Sequence, residues 1–219
     1  RMGTENLTKI SVKGGIGLIN SRLSIEIPVT PKLTIMLGGR TTYSDWMLKK
    51  MPDADLMNSS ASFYDLNFFA SYSINKANKL SFFAYKSMDH FGFSSSQKYS
   101  YGNTLGSVRY THRFNNRIYS SIMAGISNYK SGFAESDTVR PFEAYKIDNS
   151  LLYRNLKVNF MWEINDKHVL STGVNAFLYD IKPGTVSPNG EESTVPEMSV
   201  QNEQGLEWAA FLSDDFKLN

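Results

Sequence analysis

The sequence predicts an all-β chain, an antiparallel up-and-down transmembrane β-barrel segment of about nine strands cut from a larger barrel. Three observations predict it. Stretches of alternating apolar and polar residues follow one another along the chain. Short connections, at residues 28–31, 75–78, 115–116 and 165–167, take turns with long ones, at residues 44–63, 90–104, 130–143 and 182–205. Full charges (Arg22, Glu26, Arg40, Arg109 and Lys157) stand on the polar side of the alternation. A bacterial outer-membrane barrel has tight turns at its periplasmic rim, long loops at its outer rim and a wet lumen. A soluble sandwich has no reason to gather every long loop at one end.

The alternation can be followed strand by strand. The first strand sets Ile19, Leu23, Ile25 and Ile27, with Ser21, against Arg22, Ser24 and Glu26. The second sets Leu33, Ile35 and Leu37 against Thr34, Met36 and Arg40. In the third, Leu66, Phe68, Ala70, Tyr72 and Ile74 oppose Asp65, Asn67, Phe69, Ser71 and Ser73. The fourth, near residues 80–89, is the least regular because Phe82 and Phe83 are adjacent. The fifth and sixth place Val108, Tyr110 and Phe114, then Ile118, Ile122, Ala124 and Ile126, on one side. The seventh is the clearest, with Leu156, Val158, Phe160 and Trp162 against Asn155, Lys157, Asn159 and Met161. The eighth has Leu170, Val174, Ala176 and Leu178 opposite Ser171, Asn175 and Tyr179, and the ninth has Leu206, Trp208, Ala210 and Leu212 opposite Glu207, Phe211, Ser213 and Asp215. Each run approaches the roughly 9–11 residues that a tilted span requires. Aromatics suggest two interfacial girdles: Phe114 and Trp162 beside short turns, and Tyr43, Tyr129 and Tyr179 at the long-loop ends.

Composition bounds the function. The 219 residues are taken as one piece, 1–219, a partial outer-membrane barrel domain. No apolar run approaches the roughly 18 residues of a spanning helix, which says nothing against strands that cross. The 12 Tyr and 14 Phe favour strands. A net charge of +2 leaves no footprint for nucleic acid, so no nucleic-acid partner is expected. There is no cysteine, hence no disulfide framework and no thiolate metal site. Residues 1–9 carry no apolar segment of a secretory signal, so the sequence is expected to be a mature chain or, preferably, a fragment.

Several segments resemble the barrel of TonB-dependent outer-membrane transporters, in the branch with a carboxypeptidase-regulatory-like N-terminal extension. Residues 14–23 through Glu26-Ile27-Pro28 resemble the first barrel strand after the plug. Leu37-Gly38-Gly39-Arg40-Thr41-Thr42-Tyr43 resembles the second strand, with its Gly-Arg-x-x-Tyr ending, and Phe63-Tyr64-Asp65-Leu66-Asn67 the start of the third. Arg109-Tyr110-Thr111-His112-Arg113-Phe114, residues 169–173 with Pro183-Gly184, and residues 207–215 continue the same order. The resemblance implies a barrel of about 22 strands around an N-terminal plug, importing a scarce nutrient (a glycan, peptide or metal chelate) with energy relayed by the TonB protein. The implied partners are outer-membrane lipid, the chain's own plug and remaining strands, TonB, and a surface lipoprotein. The implied location is the outer membrane of a Gram-negative bacterium.

Nothing in the sequence points to catalysis or to a cofactor. His90, His112 and His168 lie on different elements without ligand spacing, so no metal site is expected from them. His112 has the apolar parity, and His168 lacks an orienting partner in sequence. Gly14-Gly15-Ile16-Gly17 lacks the G-x-G-x-x-G spacing and a following helix, and reads as a bend where the chain enters the wall. Asp53-Ala54-Asp55 offers calcium-type oxygens, although solvated loop acids are commoner. Ligand contacts should come from lumen-facing residues near the long loops, with Arg40, Tyr43, Asp65, Asn67, Tyr129, Tyr153 and Tyr179 as candidates. Two rivals stay open: a soluble all-β adhesin or sandwich whose loops bind a partner, and a small closed barrel acting as a passive pore.

Overall fold

The computed structural model describes residues 9–93, 96–136 and 139–218. They form one antiparallel sheet of eleven strands: β1 (Ser11–Ile16), β2 (Asn20–Thr30), β3 (Leu33–Thr42), β4 (Ser60–Ser73), β5 (Asn78–Phe93), β6 (Gln97–Arg113), β7 (Ile118–Glu135), β8 (Tyr145–Glu163), β9 (His168–Pro188), β10 (Met198–Ser199) and β11 (Glu203–Phe216). Each strand from β1 to β9 pairs with the next in sequence, and β9 pairs with both β10 and β11. The sheet is open, with β1 at one edge and β10 and β11 at the other.

Register decides which residues share a face, because directly paired residues project to the same side. One row runs Ile27, Ile35, Ala70, Phe82, Val108, Ala124, Leu156, Ala176, Trp208 across nine strands, apolar throughout. The next inward-facing row, one residue along, includes Glu26, Met36, Phe69, Phe83, Ser107, Gly125, Asn155, Phe177 and Glu207. The ladder reproduces the face assignment in each of the eight strands whose faces were read from alternation. We call the face carrying Leu156 outer and the other inner.

Among the described residues no second layer packs against this sheet. Among the described residues Ala144 is the only buried apolar one, while Leu156 is 50% exposed, Val174 50% and Trp208 73%. A face this apolar and this broad cannot stay in water. It needs a nonpolar medium or another protein surface against it.

The four short turns are built alike. Asn75, Asn115 and Asn165 each accept, at Oδ1, the backbone N–H groups two and three residues on. Thr30 Oγ1 does the same for Lys32 and Leu33. These Asx- and ST-type turns satisfy the donors that a tight reversal would leave exposed.

At the opposite rim the structure departs from expectation in four places. Gly14 and Gly15 are not a bend but part of β1, and Gly17 opens a tight turn back to Asn20 (N···O 2.8 Å). One short connection therefore lies at the long-loop rim. The stretch 90–104 is largely strand, with β5 and β6 paired out to Phe93 and Gln97. The stretch 130–143 likewise carries the paired end of β7, to Glu135, and 182–205 the end of β9 and all of β10. β1 and β10 are the strands that alternation misses, one for its glycines and the other for its two-residue length.

Candidate functional site

The inner face gathers three of the candidates into one cluster. Arg40 on β3 and Asp65 on β4 are register partners, and Arg40 Nε donates to Asp65 Oδ2 at 2.7 Å. The guanidinium also lies over the ring of Phe63, 4.9 Å from its centroid. Asn67 sits two residues further along the same face, opposite Gly38. A Cβ on Gly38 would come within 2.5 Å of Asn67 Oδ1, so the glycine makes room for the amide to lie across β3. Arg22, partner of Arg40 on β2, completes a polar hollow of about 450 Å³. Sequence reading put Arg22 on the polar side without choosing it. The signal was its place directly across from Arg40.

Tyr153 and Tyr179 form a second cluster with two residues the sequence did not single out. Tyr153 stacks on Phe177 at 5.6 Å with 23° between planes, and lies 5.5 Å from Tyr179. Tyr179 Oη donates to Glu207 Oε2 at 3.1 Å. All four project to the inner face of β8, β9 and β11. Asn67 and Tyr153 share a row, separated by Tyr85, Leu105 and Ser127. At about 4.8 Å per strand, the clusters stand roughly 19 Å apart. They are two patches on one wall.

Two candidates lie elsewhere. Tyr129 projects inward between Asn103 and Leu151, in neither cluster. Tyr43 continues the outer parity of β3: its N–H reaches Ile19 O (2.9 Å) and its hydroxyl is held by Ser21 and the β1–β2 turn. Tyr43 thus ties the first hairpin to the loop 43–59. This also corrects the expected upper girdle, since Tyr129 and Tyr179 face inward and only Tyr43 faces outward. Phe114 and Trp162 are on the outer face beside short turns, as read from sequence.

The loops at the long-loop rim are stitched locally. In 43–59, Ser44 Oγ donates to Ala61 O (2.7 Å), Asp45 Oδ1 accepts Ala61 N–H, and Trp46 Nε1 donates to Leu18 O (3.1 Å). Asp53 Oδ1 accepts the N–H groups of Asp55 and Leu56, which makes it the cap of a four-residue helix (Ala54–Met57) and occupies the carboxylate. Further along, Asn189 and Thr194 bond back to Glu135, Ala144 and Phe142. On the inner side of this rim, burial and then the carboxylate of Glu135 push the Tyr145 phenol above its usual range.

His168 does have a partner, Asp214 on β11, at 2.7 Å. The pair is on the outer face at the short-turn rim, beneath Phe216. Forty-six residues separate the two, which is why sequence spacing hid the contact. Among the described residues no group of three or more His, Asp or Glu could hold a metal ion. A hollow of about 1190 Å³ lies on the apolar outer side among Leu23, Ile25, Leu37, Leu66 and Phe68, and includes no part of the aromatic cluster.

No protein-family model and no curated protein matches the chain in sequence. A solved structure does match its fold. The ferric-catecholate import receptor Fiu of Escherichia coli K12, in its closed form, superposes with a TM-score of 0.67 at 13% identity, covering 96% of this chain and 39% of the receptor. The outer-membrane protease OmpT of Escherichia coli gives a TM-score of 0.38 at 11% identity over 89% of this chain and 81% of that one. The chain spans about two fifths of the import receptor's length, and its fold is that of an outer-membrane barrel wall.

Proposed function

We propose that the chain is part of the barrel wall of a TonB-dependent active transporter that imports a nutrient across the Gram-negative outer membrane. The observation that carries this reading is the single-layer sheet, with an apolar face left bare over nine strands and a charged face behind it. In lipid only a closed barrel satisfies every backbone group, so the open edges at β1 and β11 call for further strands. Fiu, itself an import receptor, supports the direction of transport. On this reading the plug occupies the space before the inner face, TonB supplies energy through it, and the wall catalyses no reaction.

The two inner clusters suit ligand or plug contact in different ways. Arg22, Arg40, Asp65 and Asn67 offer charge-assisted hydrogen bonds, while Tyr153, Phe177 and Tyr179 offer stacking surfaces beside the Glu207 carboxylate. The test is uptake by cells carrying the full-length protein, supplied in turn with single limiting iron chelates, oligosaccharides and peptides. Import of one class that stops when the proton gradient is collapsed supports active transport. Import that persists makes the protein a passive pore, and a full-length protein that fractionates without detergent makes it a soluble adhesin.

A further inference from the structure

Beyond the apolar band the aromatic side of the wall changes face. On β5 to β9 the inner row Phe91, Tyr99, Phe133, Ile147 and Val186 is apolar or aromatic throughout. The outer row beside it is His90, Ser100, Gly132, Asp148 and Thr185. Rings touch along the inner side: Tyr99 lies 4.9 Å from Phe133, Phe133 5.7 Å from Tyr145, and Phe91 6.5 Å from Tyr101. Phe91 is 45% exposed and Tyr101 37%, and among the described residues no second sheet lies over them.

Each group of rings has a carboxylate beside it. Asp89 is the register partner of Tyr101 and Glu135 that of Tyr145, while Glu207 accepts the Tyr179 hydroxyl next to Tyr153. From the row of Glu207 upward, no Lys or Arg on the described stretches of β5 to β9 and β11 projects inward. The loop 189–202 adds Glu191, Glu192 and Glu197 and no cation. Among the described residues none of these carboxylates is in an ion pair.

The wall itself shows what such a station holds. Arg40 stands between the Asp65 carboxylate, at 2.7 Å, and the ring of Phe63, 4.9 Å from its centroid. Phe63 begins the row that continues to Asp89 and Tyr101. A guanidinium is thus held by one ring and one carboxylate of this same face, by charge and by the electron-rich face of the ring. At the other stations the described residues supply the ring and the carboxylate but no cation.

We propose that this aromatic and acidic inner wall binds a basic peptide, whose lysine or arginine side chains seat at the ring-and-carboxylate stations. The proposal rests on the transporter reading and narrows its nutrient to one class. Charge chooses the occupant. An anionic chelate meets only like charge here, and a neutral glycan leaves the carboxylates without a complement. Spacing chooses a chain over a small amine. Tyr101 stands four positions up the ladder from the row of Tyr153 and two strands across, and Tyr145 stands the same step beyond Tyr101. Each step is about 17 Å. An extended chain advances about 3.3 Å per residue, so side chains about five residues apart reach successive stations.

The test uses the full-length protein purified in detergent. Fluorescence anisotropy follows a labelled peptide with lysine at about every fifth position. The same peptide with glutamine for lysine, a neutral malto-oligosaccharide and an iron(III) catecholate complex compete in turn. The proposal expects the lysine peptide to bind more than about tenfold more tightly than the glutamine peptide, with an advantage that shrinks as salt is raised. The variant D89N/E135Q/E207Q should bind the lysine peptide more than about tenfold more weakly. D148N, on the outer face of the same strands, should bind it within about twofold of the parent. The reversal E135K/E207K should lose the peptide and gain the iron(III) catecholate, a gain that a misfolded protein does not show. Equal binding of the two peptides, an unaffected triple variant, or displacement of the lysine peptide by the oligosaccharide or the catecholate each overturns the peptide site. If energised uptake of another solute is found while the lysine peptide fails to bind, the peptide site alone falls. If the full-length protein is soluble without detergent, the transport reading falls and takes the site with it.

Discussion

At the short-turn rim four connections are closed by one device, a side-chain oxygen at Thr30, Asn75, Asn115 or Asn165 accepting the next two free N–H groups. At the opposite rim no two connections are alike. There is a tight glycine turn, a loop with two helical turns, a hairpin extended past the band, and two loops sewn to each other. The first rim closes each reversal within four residues, and the next strand adds one ladder bond to each turn, as from Ser73 N–H to Lys32 O. The second is solved by contacts between residues far apart in sequence. One rim only has to reverse the chain, and the other is free to diversify.

The comparison has a counterpart across the sheet, and it can be broken by substitution. Leu156→Arg places a charge in the middle of the outer apolar row and should cost roughly 2–4 kcal/mol of stability in a bilayer, whereas Asn155→Arg, one residue away on the lumen side, should cost far less. Denaturant unfolding of the full-length protein in vesicles compares the two, and equal losses would dissolve the distinction between faces. Next in size is Gly173→Ala. Its Cβ would come within 2.7 Å of the Val158 carbonyl and 2.6 Å of both Asn159 Oδ1 and Phe211 Cε1, so about 1–3 kcal/mol of strain is expected in the same assay. Asn165→Ala removes an acceptor of two N–H groups and should cost about 1 kcal/mol, similar to losing a helix cap. Smallest is Arg40→Gln. Its ion pair with Asp65 is half exposed on the arginine side, so the loss should stay below about 1 kcal/mol even though a ligand contact there would be lost.

What the sequence made legible follows the same division. The Asn-x-x turns and the alternation between them are local, and the ladder reproduces the face of every strand read that way. β1 was hidden because Gly14 and Gly15 have no side chains to alternate. The upper hairpin of β5 and β6 was hidden because beyond the apolar band both faces carry polar residues, so His90 and Ser100 on one side differ little from Asp89 and Tyr101 on the other. Pairings that need the third dimension were also out of reach. Glu207 for Tyr179, Asp214 for His168 and the turn backbone for Tyr43 all lie more than twenty residues away. Arg40, Asp65 and Asn67 were each legible from polar parity near a long-loop end, but their meeting is set by the register of β3 on β4, which alternation alone does not give.

The account turns on which way each side chain of β8 points. The sequence contains no cysteine, so single cysteines can be introduced at residues 155–162 of the full-length protein and spin-labelled in vesicles. Labels at 156, 158, 160 and 162 should collide with oxygen dissolved in the hydrocarbon, and those at 155, 157, 159 and 161 with a water-soluble nickel chelate. A period of two in that order supports an outer face in lipid. Labels at 156 and 158 shielded from both reagents would place a second protein layer there and contradict it.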